Sequence, residues 1–245
     1  MKTSYQPSYY SFLGGSAPGS AAEVIPIVRE FIDPQSVVDV GCGAGGWLAE
    51  FTRLGVRDVF GLDGPWVKPS QLLIPQDRFQ VADLTEPIRF GRRFDLVINL
   101  EVAEHLPSDR AETLVGSLVG LGDVILFSAA IPFQGGQNHV NEQWPDYWAQ
   151  LFAKHGFSFV DCLRARIWTN QAVEWWYVQN IFLVVRDSQL GLNLRLAEAA
   201  RENAGRPLSV VHPRSYVQSA ARAKSPRELV LATLGAIKRS LRRRF

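Results

Sequence analysis

Cysteine is nearly absent from this chain. Its 245 residues include only Cys42 and Cys162, too few for a disulfide framework and without the CxxC spacing of a zinc site, so both thiols are expected to be reduced. Long apolar runs are missing too. No window reaches the roughly 18 uninterrupted apolar residues that a membrane-spanning helix requires, and the opening "MKTSYQPSYYSFLGG" lacks the basic-then-apolar layout of a secretory signal. These absences lead to the expectation of a cytoplasmic protein. There is no strong charge of either sign overall. The net +2 hides an asymmetry, because residues 221–245 carry eight Lys or Arg against one Glu, a local +7 that leaves −5 on residues 1–220. An acidic body argues against a nucleic-acid partner, whose phosphates need a basic groove. What remains is 47% hydrophobic and 20% charged, the composition of an ordinary globular domain with chain enough to bury a core.

Along the chain, apolar periodicity predicts a helix over 21–31, ended by Asp33 and Pro34, and a strand over 36–40. "WLAEFTRLG" reads as a helix closed by Gly55, and "DVFGLDG" as a strand ending at Asp63. "FQVADL", "FDLVINLE" and "DVILFSAA" are expected strands, with helices at "RAETLVGSLVGL" and "PDYWAQLFAKHG". Strands separated by helices imply crossovers, a parallel sheet and helices on both faces. The final pair, "FSFVDCLRARIW" and "VQNIFLVV", has no helical pattern between its members and is expected to form an antiparallel edge hairpin. The division predicted is an arm or lid over 1–20, a ligand-binding domain over 21–186, and a helical extension with a basic tail over 187–245. In such sheets the ligand sits beyond the carboxyl ends of the strands.

The most informative of those ends is "VVDVGCGAGGW". Gly41, Gly43 and Gly46 satisfy GxGxxG, the dinucleotide fingerprint, but the match alone is weak. Asp39 stands two positions before the first glycine, where a carboxylate repels a pyrophosphate and attracts an ammonium group. Asp63 lies 20 residues past Gly43, a spacing suited to a ribose acid in either ligand. Asp83 suits an adenine amino group with Leu84 against the ring, or else a simple turn. Taken together, "VVDVGCGAG", "VFGLDG", "VADL" and "FDLVINLEVAEHLP" resemble the class I S-adenosylmethionine-dependent methyltransferases over about residues 36–185. The resemblance implies an α/β, Rossmann-like seven-stranded sheet, mostly parallel with an antiparallel last hairpin. It also implies S-adenosylmethionine as cofactor, held by Asp39, Gly41, Cys42, Gly43, Gly45, Asp63, Asp83, Leu84, Leu100 and Glu101. A nicotinamide enzyme and a non-catalytic cofactor-binding relative are the alternatives.

Two readings exist for the catalytic groups. His139 follows a glycine-bearing loop after the fifth strand and suits a general base that takes a proton from an acceptor hydroxyl, with His105 and Glu104 beside it. Alternatively, Glu101, Glu104, His105 and His139 resemble the ExxEH-plus-His set that holds a divalent ion in small-RNA 2'-O-methyltransferases and is partly echoed in ubiquinone-pathway O-methyltransferases. A coordinated His139 has no free lone pair, so the readings exclude each other, and the base is preferred. His155 and the Trp144 and Trp148 pair are read as structural, His212 has no evident partner, and Trp175 and Trp176, in strand context, face opposite ways.

The acceptor expected is a small molecule. Aromatic Tyr9, Tyr10, Phe12, Phe133, Trp144, Trp168 and Trp175, with polar Gln134, Gln137, Asn138, Asn141, Glu142, Gln143, Asn170 and Gln179, suit a sugar or glycan hydroxyl. An aromatic natural product is second. "QNHVNEQWPDYW" and "RIWTNQAVEWWYVQN" also resemble bacterial methyltransferases of surface-polysaccharide assembly. The tail "ELVLATLGAIKRSLRRRF" joins helical apolar spacing to terminal arginines, a pattern for peripheral contact with an anionic membrane or for a helix with a solvated basic end.

Overall fold

The computed structural model describes residues 7–223, with side chains over 17–220. The first helix, α1 (Pro7–Phe31), leads into β1 (Ser36–Val40), α2 (Gly46–Arg53), β2 (Asp58–Asp63), β3 (Phe79–Val81) and β4 (Leu96–Leu100). Then come α3 (Ala111–Leu121), β5 (Val124–Ser128), α4 (Pro145–Ala153), β6 (Phe157–Val160), α5 (Arg164–Ile167), α6 (Trp175–Asn180) and β7 (Phe182–Arg186). The short α7 (Asp187–Leu190), α8 (Leu194–Asn203) and α9 (Pro213–Ala223) complete the described chain.

Seven strands lie in one sheet in the order β3-β2-β1-β4-β5-β7-β6. The first five pair in parallel, whereas β7 runs antiparallel to both β5 and β6. Crossover connections keep β1 to β5 parallel, through α2 between β1 and β2 and α3 between β4 and β5 but without an α-helix on either side of β3, while β7 returns antiparallel after the short α5 and α6. Every residue of β4 and β5 is buried, as expected of strands covered on both faces. Period-two alternation divides them between two cores. Val37, Leu96, Ile98 and Leu126 pack with Val24, Ile25 and Val28 of α1 and Leu48 and Phe51 of α2. Val38, Val97, Ile125 and Phe127 pack with Leu114 and Leu118 of α3 and Trp148 and Phe152 of α4. Burying both stripes drives folding, each large apolar side chain contributing about 1.5–3 kcal/mol.

The structure corrects the expected boundaries at both ends. The first helix extends back to Pro7 rather than beginning at Ala21, so residues 7–20 continue one helix into the domain; residues 1–6 lie outside the described residues, as does the tail over 224–245. "FSFVDCLRARIW" is a strand only to Val160, and "VQNIFLVV" only from Phe182. The intervening residues form α5 and α6. Apolar runs this short carry no period that separates strand from helix, and tertiary contacts decide. Buried Arg164 pairs its Nε and Nη2 with Asp161 at 2.9 and 2.6 Å and donates Nη1 to the carbonyls of Gln179 and Leu208 at 3.1 and 2.8 Å. That one guanidinium ties α5, α6 and the C-terminal segment together.

Candidate active site

A cavity of about 1000 Å³ opens at the carboxyl ends of β1, β2 and β4. Its floor is the glycine loop. Gly41 has φ +90°, and a Cβ there would lie 2.3 Å from Cγ2 of Val102, so the close passage of β1's exit past the β4 exit admits only glycine. The amides of Gly41 and Cys42 donate to the Leu62 carbonyl at 2.7 and 3.1 Å, locking the loop to β2. Gly45, also left-handed at φ 83°, caps α2 without a side chain. The N-terminus of α2 therefore faces the cavity and offers its amides to an anion.

Acidic groups surround this floor. Asp39, Asp63, Asp83, Glu101 and Asp109 line the cavity, against Arg110 as the one Lys or Arg among the lining residues. Asp63 is buried at the end of β2 and accepts from the amides of Gly43 and Gly64, each at 2.6 Å. Burial raises its pKa despite those two donors. Asp39 is buried too, and desolvation, then the neighbouring Asp63, pushes its carboxyl well above the usual range. Such a wall favours a cationic ligand and penalises a pyrophosphate. Asp83 is exposed, and its Oδ1 accepts from the amide and hydroxyl of Thr85 at 2.9 and 2.6 Å. The turn reading for Asp83 is thus correct, while its place on the cavity wall beside Leu84 leaves the ligand reading intact. Cys42 and Leu100 also line the wall, and Gly45 lies just outside the lining set.

The other end of the cavity is built from the β4 exit. Glu101 sits at φ 54°, held there by its amide donating to Ser128. Its Oε1 accepts from Asn180 at 3.1 Å and its Oε2 from Gln134 at 2.9 Å. Gln134 Oε1 accepts in turn from Asn180 and Gln179 at 2.9 and 3.1 Å. Gln134 and Gln179 are therefore buried structural amides, which corrects the expectation that they face an acceptor; Asn141 is buried as well, its Oδ1 accepting from Gln143 at 3.0 Å and its Nδ2 without a partner among the described residues. His212 is not partnerless: its amide reaches Gln179 Oε1 at 2.9 Å and its Nε2 lies 3.0 Å from the Trp168 carbonyl.

One turn beyond Glu101, Ala103–His105 forms a 3-10 turn. Ligand atoms of Glu104, His105 and His139 all lie within 4.8 Å of one another. Glu104 is fully buried, and no well-aligned hydrogen bond reaches either carboxylate oxygen, although the backbone of Glu104 and Ala130 and the Glu101 carboxyl lie close enough to act on it. Desolvation, then the Glu101 carboxylate, pushes its pKa well above the usual range. His105 faces the cavity, and burial, then His139, lowers its pKa to about 4. His139 packs edge-on against His105 with ring centroids 4.8 Å apart, and its Nδ1 lies 2.9 Å from Glu142 Oε1. Only its neighbours Asn138 and Val140 reach the cavity wall, together with Trp47, Trp66, Trp176 and Tyr177.

The aromatic wall differs from the one expected. Phe133 and Trp144 point to solvent and Trp168 and Trp175 pack elsewhere, while the side chains of Tyr9, Tyr10 and Phe12 lie outside the described residues. Trp175 and Trp176 do not face opposite ways: consecutive in a helix, not a strand, their rings pack edge-on with centroids 5.6 Å apart. Trp66 lies across Gly64, where a Cβ would stand 2.2 Å from the indole. No periodicity exposes such a residue; the signal available was a glycine two positions before a tryptophan at a strand end.

A protein-family model described as a methyltransferase domain matches residues 20–160. Among curated proteins, a probable chloroplastic tocopherol O-methyltransferase of Oryza sativa subsp. japonica is 37% identical over 86 residues, 31% of this chain and 24% of that protein. A ubiquinone biosynthesis O-methyltransferase of Rhodopseudomonas palustris (strain TIE-1) is 35% identical over 75 residues, 29% of each. The chain thus spans under a third of the length of these relatives. Of solved structures, an amino pentose methyltransferase of calicheamicin biosynthesis from Micromonospora echinaspora superposes with TM-score 0.52 at 17% identity, over 76% of this chain and 99% of that one. At that identity the likeness establishes the fold.

Proposed function

Because the chain belongs to the methyltransferase-domain family, we propose that it moves the methyl group of S-adenosylmethionine to a hydroxyl oxygen of a small-molecule acceptor. The observation that carries this reading is the acidic wall around a glycine loop. Asp39 suits the cofactor's ammonium, the α2 amides its carboxylate, Asp63 the ribose hydroxyls, and Asp83 with Leu84 the adenine. A cation entering the cavity would relieve the raised carboxylates, a gain that a dinucleotide does not offer.

The acceptor belongs at the end formed by Glu101, His105, Asn138, Val140, Trp176 and Tyr177. An acceptor oxygen placed there would attack the methyl carbon in line, the carbon–sulfur bond breaking with its electron pair on sulfur and the hydroxyl proton passing to a base or to solvent. His139 is not on the cavity wall, and His105, lowered to about 4, is a feeble base at neutral pH. Glu104, His105 and His139 are better read as ligands for a divalent ion. The weakly partnered oxygens of Glu104 fit one, His105 alone of the three would present it to the cavity, and Glu101, whose oxygens are taken by Asn180 and Gln134, does not complete the set. Such an ion would lower the pKa of a bound hydroxyl.

A sugar or glycan acceptor is favoured by the polar Asn138 and Glu101 beside flat aromatic walls, and by the amino pentose substrate of one structural neighbour. An aromatic natural product is supported by Trp176 and Tyr177 and by the tocopherol and ubiquinone pathways of the curated relatives. Peripheral membrane contact rests only on the basic sequence of 224–245, and liposome co-sedimentation with and without that segment tests it. The test of function is mass spectrometry for the gain of one CH2 across sugars, sugar nucleotides, glycolipids and phenols, with and without chelator. Calorimetry showing no heat with S-adenosylhomocysteine would overturn the reading, and full turnover in chelator would remove the ion.

A further inference from the structure

The loop over 131–143 is wound around one carboxylate. Glu142 Oε1 accepts from the amide of Gly135 at 2.7 Å and lies 2.9 Å from His139 Nδ1, while its Oε2 accepts from the amide of Phe133 at 2.8 Å. Phe133, Gly135 and Asn138 all take left-handed φ values, 68°, 68° and 63°, so the loop adopts this path against the preference of two of them. It is pinned at its far side as well. Val140 and Asn141 donate their amides to the Glu104 carbonyl at 2.9 and 3.0 Å, and Gln143 donates to Ala130 at 3.2 Å. Gly136 closes the packing: a Cβ there would lie 2.1 Å from His139 Nε2.

An ionised carboxylate can only accept. The contact with Glu142 therefore requires the hydrogen of a neutral His139 to sit on Nδ1, which leaves Nε2 as the lone-pair atom and the one ring atom able to join Glu104 and His105. We propose that Glu142 is a positioning residue that sets the tautomer and ring orientation of His139, and through it the geometry of the Glu104, His105 and His139 cluster. A carboxylate behind a ligating imidazole raises its donor strength and fixes its direction. The two backbone amides on Glu142 hold that carboxylate in place, so the orientation of His139 is set by the loop fold itself. Its consequence for metal affinity rests on the ligand-set reading, whereas the tautomer does not.

The test uses the full chain and the variant Glu142→Gln. A glutamine offers one oxygen where three donors converge, so it cannot hold Gly135, Phe133 and His139 together. Long-range proton–nitrogen spectra of the imidazoles at pH 8 are expected to show His139 protonated on Nδ1 in the parent and shifted toward Nε2 in the variant. Manganese binding by calorimetry is expected to weaken about 10- to 100-fold, with S-adenosylhomocysteine affinity unchanged, because Glu142 lies off the cavity wall. A parent His139 protonated on Nε2 overturns the proposal, as does an unchanged tautomer in the variant. Should the variant not fold, the parent tautomer decides alone. Should the parent bind no manganese, the ligand reading fails and the spectra still decide the role of Glu142.

Discussion

Replacing Glu104 with methionine should stabilise the metal-free protein while ending its activity. Glu104 is fully buried, and among the described residues its two oxygens receive no well-aligned hydrogen bond, only the weaker approach of the Glu104 and Ala130 backbone. A buried acceptor without a partner costs about 1–3 kcal/mol, so the pair costs about 2–6. Methionine has nearly the same length and no polar atom, and a small residual void returns about 1 kcal/mol of that gain. The net gain is then about 1–5 kcal/mol, overlapping the about 1–4 found when buried ionic groups are exchanged for apolar ones. In a chain of this size that corresponds to a rise in Tm of about 2–20 °C. The assay is thermal unfolding by circular dichroism in chelator. The gain should be larger at pH 8 than at pH 5. An acid whose folded-state pKa is raised contributes stability below its unfolded value and loses it as the pH rises through the folded one. Added manganese should raise the Tm of the parent and leave the variant unmoved. A variant melting below the parent at pH 8 in chelator refutes the reasoning, because it would mean that Glu104 has partners in solution.

Other expectations follow from single contacts. Gly41→Ala adds a Cβ at φ +90° and 2.3 Å from Val102, which should cost about 2–4 kcal/mol from strain and overpacking; urea unfolding measures it, and Val102→Ala should restore part of the loss. Asp39→Asn removes a carboxyl whose pKa burial and then Asp63 hold well above the usual range. The parent's loss of stability from pH 5 to 8 should therefore flatten in this variant, while calorimetric binding of S-adenosylhomocysteine falls at least tenfold for want of the ammonium partner. Arg164→Met leaves Asp161 and the Gln179 and Leu208 carbonyls without their donor. It should cost about 2–4 kcal/mol, and limited proteolysis should cut the variant near Leu208 before the parent.

Strand direction and burial on both faces were within reach of the sequence because they depend on local alternation and on connection length, whereas the order β3-β2-β1-β4-β5-β7-β6 was not. Val37 and Val38, or Leu96 and Val97, must face opposite ways in any strand, and a crossover helix allows only a parallel neighbour. The cofactor-side acids, Asp39 and Asp63, were legible for the same reason, since strand ends and glycines mark them. Periodicity failed where a few distant contacts outweigh it. Residues 164–168 and 178–180 read as strand, yet Arg164 and Ser20 tie the segment down as two short helices. Pro18 and the glycines before it hid the first half of α1, whose course depends on packing against α2 and not on its own propensity.

By itself, then, the order of residues determined a parallel sheet, its antiparallel edge and a glycine loop ringed by acids, all consequences of spacing along one chain. Only the tertiary structure decided what each polar side chain faces. Gln134 and Gln179 looked like ligand contacts and are buried braces for Glu101; Glu142 looked like a ligand contact too and instead lies against His139. The physical reason is that a hydrogen bond has a direction as well as a distance, and direction is set by residues far apart in the chain that meet only when it folds.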